Sequence, residues 1–196
     1  SIAENAIIDK YGRIGARQGL DKLTSSTTPL GSSIGTESIF EFTKNDGTTT
    51  VFSTGNNKVF TGTTSLTDVT NSMTISANNW KIVSFNNDVY FFQRGHNALE
   101  YTSSSSSLGV VHADAPDANE VCAAFGRLWA GDVANNTYTL YFSDTLDGDD
   151  WTGGTSGSLD LRTVWPTGFD EIVAIKEFNN FLVIFGKQSI LIYQGA

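Results

Sequence analysis

Four carboxylates, Asp144, Asp147, Asp149 and Asp150, fall within seven residues directly ahead of Trp151. Oxygen-rich loops supply the ligand type that Ca²⁺ takes. The run DTLDGDD nevertheless lacks the alternating ligands around a fixed glycine that an EF-hand loop requires. A polar hairpin loop pinned by a tryptophan is therefore expected, with no metal and no cofactor assigned. Paired carboxylates about 5 to 10 Å apart could also serve glycoside hydrolysis, but this loop lacks the apolar surroundings that would keep one of them protonated for acid duty. No catalytic residue is nominated, and the chain is expected not to be an enzyme. His96 and His112 have no Cys, Asp or His at ligand spacing, no Gly-x-Ser-x-Gly or phosphate-binding loop occurs, and both are expected at the surface. Cys122 is alone and lies in an apolar run, which points to a buried, inert thiol. Trp129, Trp151 and Trp165, with Tyr90 and Tyr138, could line a sugar-binding surface. Trp129 sits inside a strand and is expected in the core. Trp151 and Trp165 bracket a Gly/Asp-rich insertion and are expected to be partly exposed, as interface candidates.

The elements that must position these residues are short strands. The segment from Glu171 to Gln194 contains three apolar runs, Ile172 to Phe178, Phe181 to Phe185 and Ile190 to Tyr193, separated by Asn179-Asn180 and Gly186-Lys187-Gln188. Runs of four to seven residues rich in Val, Ile, Phe and Tyr are too short for helices. Asn tolerates positive φ, so an Asn-Asn pair supplies the twist of a tight hairpin, and the three runs form an antiparallel meander. The pattern recurs in Trp80 to Thr102, where Phe85-Asn86-Asn87 repeats Phe178-Asn179-Asn180. It recurs again in Glu120 to Ser143, with Gly126-Arg127 at the turn, and in Ser38 to Gly62. Phe42, Phe85, Phe125 and Phe178 are spaced by 43, 40 and 53 residues, a period that belongs to β-propeller blades rather than to helical repeats. A fourth strand is expected at Ser72 to Ala77, Leu108 to Ala113 and Leu159 to Val164. The fourth copy has none. The predicted fold is all-β and β-propeller-like. It has four antiparallel meander blades, the last incomplete, plus an N-terminal extended arm, as part of a larger ring. The expected divisions are an arm over 1–24, a linker over 25–37, and blades over 38–79, 80–118, 119–169 and 170–196. Within the arm, Tyr11 to Gln18 could form one strand.

With 39% hydrophobic and 12% aromatic residues, the chain can fill a core. Nothing approaches 18 consecutive apolar residues, so no membrane insertion by this segment is expected. The absence of an initiator Met is expected of a processed chain or a fragment. The formal charge of -9 argues against a nucleic-acid-binding surface, which needs clustered Lys and Arg. That charge is uneven, because residues 1–24 carry a net +1 through Lys10, Arg13, Arg17 and Lys22, leaving -10 on the remainder. Arg13 and Arg17 are accordingly interface candidates, on an arm drawn to an acidic body.

Two stretches carry a family resemblance. Residues Asn5 to Gly19, NAIIDKYGRIGARQG, look like an opening arm of the form N…G-R/L…R-x-G. Tyr141-Phe142-Ser143-Asp144, the loop ending at Trp151, Gly157 to Leu161 and Asp170 to Ile175 are similar to a strand, loop, strand and next-blade entry. On these residues the chain resembles the tail nozzle, or tail tubular protein B, and related β-propeller tail-hub proteins of short-tailed bacteriophages. The resemblance implies a structural virion protein forming part of a DNA-conducting tail channel and active in genome ejection. It also implies a ring-shaped homo-oligomer, a hexamer, in contact with adaptor or portal proteins and fibres, with DNA only in transit. The location implied is the virion tail, assembled in the host cytoplasm. An acidic channel wall would suit such a role by not holding phosphates. The alternative is a carbohydrate-binding or glycosidase-type β-propeller acting at the host surface.

Overall fold

The structure, a computed structural model, describes residues 6–8, 10, 11, 14–16 and 35–195, other than 112 and 167. Near the start, β1 (Ala6–Ile8) and β2 (Ile14–Ala16) form an antiparallel ribbon. The single strand expected over Tyr11 to Gln18 is thus the second half of a hairpin, whose turn includes Lys10 and Tyr11.

Four meander sheets follow. The first is β3 (Ser38–Thr43), β4 (Thr49–Gly55), β5 (Lys58–Thr61) and β6 (Thr67–Asp68); the second is β7 (Lys81–Phe85), β8 (Asp88–Gln93), β9 (His96–Thr102) and β10 (Ser107–Val110). The third is β11 (Ala118–Ala124), β12 (Arg127–Val133), β13 (Thr139–Phe142) and β14 (Gly157–Asp160). The fourth has three strands, β15 (Ile172–Phe178), β16 (Phe181–Gly186) and β17 (Ile190–Gln194). Every pairing is antiparallel between chain neighbours. No helix occurs among the described residues.

The tight turns are built as their residues require. Asn56-Asn57, Asn86-Asn87 and Asn179-Asn180 all have φ between 48° and 69°, the left-handed conformation of both central residues in a type I′ hairpin. In the third sheet the equivalent pair is Phe125-Gly126, at φ 54° and 70°. Ala124 pairs with Arg127 across it, so Arg127 opens the next strand instead of occupying the turn. The fourth strand of the first sheet also departs from expectation. It is Thr67–Asp68, held where Val69 N–H donates to the Val59 carbonyl (2.9 Å) and Val59 N–H to Thr70 Oγ1 (2.9 Å). Ser72 to Ala77 is irregular, because Met73, Ile75 and Ala77 pack into the seam beside the second sheet.

The sheets stack face to face, with the first strands β3, β7, β11 and β15 adjacent in succession. Interior sheets bury both faces, so their central strands are apolar without alternation. In β8, Val89 and Phe91 face Phe42 and Phe52 of the first sheet, beside Tyr101 of β9, while Tyr90 and Phe92 face Leu128 and Ala130 of the third. In β12, Trp129 turns the other way, toward Ile175, Leu182 and Ile184 of the fourth sheet. Each fully buried Phe, Leu or Ile contributes about 1.5–3 kcal/mol.

Candidate functional site

The richest polar region lies on the seam between the second and third sheets, where the insertion after β13 folds back over β8. Asp144 organises that insertion. Its Oδ1 accepts from Thr155 Oγ1 (2.6 Å) and from the N–H groups of Thr155 (2.8 Å) and Thr145 (2.7 Å), which holds the carboxyl below its ordinary pKa. Asp147 Oδ1 accepts from Asp149 N–H (2.9 Å), and Asp150 Oδ1 from Thr152 N–H (3.0 Å) and Gly153 N–H (2.6 Å). Three of the four loop carboxylates thus fix backbone. No group of three or more His, Cys, Asp or Glu side chains placed to hold a metal occurs among the described residues.

The loop docks through its middle. Asn86 Nδ2 donates to the Leu146 carbonyl (3.0 Å), Leu146 N–H to Gly126 O (2.7 Å), and Trp151 Nε1 to Gly148 O (2.9 Å). Trp151 is buried and meets Phe92 edge to face at 5.9 Å. Gly148 lies so close to Tyr90 that a Cβ there would stand 2.5 Å from the phenol ring.

Beneath the loop, Tyr90 donates to Glu100 Oε1 (3.4 Å), and Asp88 and Asp149 add negative charge beside both. Burial, reinforced by Asp149 and then Asp88, pushes the Glu100 carboxyl up to about 7 against the opposing hydrogen bonds from Tyr90 and Thr102. Burial, then the charges of Glu100, Asp149 and Asp88, also raise the Tyr90 phenol. Asp88 meanwhile accepts from Ser103 N–H (2.6 Å). A carboxyl that keeps its proton near neutrality can act as an acid and, once ionised, as a base. Sequence reading missed Glu100 because its neighbours come from another strand and another sheet.

The remaining candidates are placed as follows. Arg13, Arg17 and His112 lie outside the described residues. Trp151 and Trp165 are not partly exposed: each is about 95% buried, Trp151 under the insertion and Trp165 between the third and fourth sheets. The insertion they bracket is packed down rather than splayed out. Trp129 and Tyr90 are buried as well, so the tryptophans do not form a sugar-binding surface. Tyr138 is half-exposed, with the Arg162 guanidinium 4.4 Å over its ring and Phe169 against its edge. His96 is half-buried against Trp80. Cys122 is buried, which pushes its thiol up to about 12.

An open cleft of about 320 Å³ lies between the third sheet and β17, lined by Phe125, Arg127, Trp129, Phe142, Leu159 and Tyr193. The Arg127 guanidinium is committed there to Ser143 O, Thr155 O and the Thr145 and Thr155 hydroxyls.

No family model matches the chain, and no curated protein matches its sequence. Among solved structures it is similar to a catalytically inactive virginiamycin B lyase from Staphylococcus aureus bound to quinupristin. The identity is 14%, the TM-score 0.51, and the match covers 97% of this chain and 63% of the lyase chain. The likeness establishes a β-propeller-like fold. The chain spans under two thirds of that protein's length. The expectation that the chain is not an enzyme is corrected here, since a protein sharing this fold is a lyase and the architecture gives no ground for excluding catalysis.

Proposed function

We propose that this chain is a structural component of a short bacteriophage tail, a blade array that helps to form a wall around passing DNA. The observation that carries the reading is the fourth sheet. Its outer face leaves Phe178, Ile190 and Ile192 more than half exposed, and apolar surface of this kind marks an assembly contact. The net charge of -9 fits a wall that does not retain phosphates. The arm and blade-entry residues of the nozzle family supply the rest of the case. The test is mass spectrometry of purified phage particles, with gold-labelled antibody against the chain viewed by electron microscopy. Stoichiometric presence and label at the tail are expected, whereas absence from intact particles overturns the proposal.

A second reading, a glycosidase-type propeller, has one observation in its favour. Burial, then Asp149 and Asp88, pushes the Glu100 carboxyl up to about 7, and a carboxyl that keeps its proton near neutrality is what the acid of glycoside hydrolysis requires. A glycosidase panel at pH 5 to 8 tests it. Turnover that disappears in Glu100→Gln would favour this reading, and no turnover on any substrate would remove it.

A further inference from the structure

We propose that the insertion between β13 and β14 is a lid over Tyr90 and Glu100, and that ionisation of Glu100 lifts it. The inference concerns movement of this loop and rests on neither functional reading.

The loop meets the second sheet at its centre. Gly148 is buried, and a Cβ there would fall 2.5 Å from the Tyr90 ring and 2.6 Å from its hydroxyl. That hydroxyl reaches Glu100 Oε1 (3.4 Å), and register sets Tyr90 opposite Glu100 on the face turned toward the third sheet. Asp149 follows Gly148 in the chain, so the lid carries a carboxylate to this pair, and its charge acts on both members. Much of the loop's bonding is internal: Asp144 N–H donates to Asp150 O (2.8 Å), and Trp151 Nε1 to Gly148 O (2.9 Å). Arg127 clamps the two ends through the Thr145 and Thr155 hydroxyls. Movement is thereby confined to the residues between, which the body holds through Asn86, Gly126, Phe92 and the Tyr90 ring.

The charges around Glu100 set the direction of the response. From β8 come Asp88 and Tyr90, and from the lid Asp149. On β10, Gly109 pairs with Glu100, and on β7, Val83 pairs with Tyr90. The third sheet adds Val121, Ala123 and Tyr141 to the same cluster. The cations at its margins are engaged elsewhere: Lys81 of β7 bonds Glu120 (3.1 Å), and Lys44 bonds the Ser103 carbonyl (3.1 Å). Ionisation of Glu100 therefore adds a negative charge that Asp149 and Asp88 both oppose. Asp88 is fixed by Ser103 N–H (2.6 Å) and Glu100 by its strand, whereas Asp149 rides on the loop. Lifting the lid separates Asp149 from Glu100 and returns water to the carboxylate, and both changes favour its charged form. With Glu100 pushed up to about 7 in the closed form and lower in the open one, closure is strongest at acid pH. It weakens as pH rises toward 7 and levels off above.

The experiment is amide exchange by NMR on residues 1–196 from pH 5 to 8.5, corrected for the intrinsic rate at each pH. The reporter is Leu146, whose N–H bonds Gly126 O (2.7 Å) when the lid is closed. Its protection should be about tenfold lower at pH 8 than at pH 5, the effect of a one-unit pKa difference between closed and open forms. The fall should be the same in about 1 M urea, because a local opening exposes little surface. Glu100→Gln should abolish the pH dependence, and Asp149→Asn, which removes the lid's own charge, should reduce it to less than half. A flat wild-type profile overturns the proposal, as does a pH dependence that survives Glu100→Gln or is undiminished in Asp149→Asn. Exchange at Leu146 that accelerates with urea in step with the amides of β16 would show that the loop leaves only when the whole chain unfolds, and would overturn it too.

Discussion

Replacing Glu100 with Gln removes a carboxyl whose ionisation the folded chain resists. The ordinary glutamate value is 4.5, and burial beside Asp149 and Asp88 carries this one to about 7. Between those two pH values the folded state binds a proton that the unfolded state has released. Stability must therefore fall as pH rises through that window, and the loss is complete above pH 7. A change of that size corresponds to at most about 3 kcal/mol. The group is only partly buried, and screening reduces the figure to about 1–2 kcal/mol. Glutamine reproduces the shape of the protonated carboxyl without ionising. Glu100→Gln should thus match the wild type at pH 4.5 and exceed it at pH 8, raising the melting midpoint there by about 2–8 °C for a chain of this size. The assay is thermal or urea unfolding at half-unit steps from pH 4.5 to 8.5, with the difference between variant and wild type plotted against pH. Subtraction cancels the other carboxylates, among them Asp68, Asp144 and Asp170, whose pKa values are lowered and which act at more acidic pH. A flat difference curve, or one that rises toward acid, would refute the electrostatic account of the seam.

The docked insertion should be sensitive to a single methyl group: Gly148→Ala places a carbon against the Tyr90 ring and should cost about 1–3 kcal/mol in urea unfolding, with faster chymotryptic cleavage after Leu146 and Trp151. Trp151→Ala, which empties the space beside Phe92, should cost about 3–5 kcal/mol by the same assay. Asp170 accepts from the N–H groups of Lys187, Gln188 and Ser189, all at 3.0 Å, and from the Ser189 hydroxyl at 2.8 Å. Burial alone would raise its pKa, but these donors outweigh burial and lower it. Its stabilisation is therefore present above the unfolded value of 3.8 and lost as pH falls through the lower folded value. Asp170→Asn should speed amide exchange at Gln188 and Ser189 and flatten the acid limb of the stability profile below pH 4.

The strands and their hairpins were legible in the sequence because their determinants are local. Phe85-Asn86-Asn87 and Phe178-Asn179-Asn180 carry the turn chemistry in the turn residues themselves, and apolar runs of four to seven residues leave no room for helices. The period of the repeats likewise announced stacked meander sheets. Where local signals competed, the sequence was ambiguous. Thr70 could bond across to Val59, so the fourth strand of the first sheet lies at Thr67–Asp68, ahead of the expected Ser72 to Ala77, and Phe125 took a left-handed turn position that asparagine fills elsewhere.

Tertiary structure alone decided the fate of the residues that first drew attention. A tryptophan beside a run of aspartates has the same sequence whether the loop stands free or folds down, and only the space between Gly148 and Tyr90 settled that Trp151 is core. The loop carboxylates went to neighbouring N–H groups, a choice fixed by backbone path rather than by composition. Glu100 looked like an ordinary strand residue. It became the most perturbed carboxyl because β8 and a loop two strands past β11 bring Asp88, Tyr90 and Asp149 around it. A pKa responds to charges a few ångströms away through a poorly polarisable medium, and those distances do not exist until the sheets have stacked.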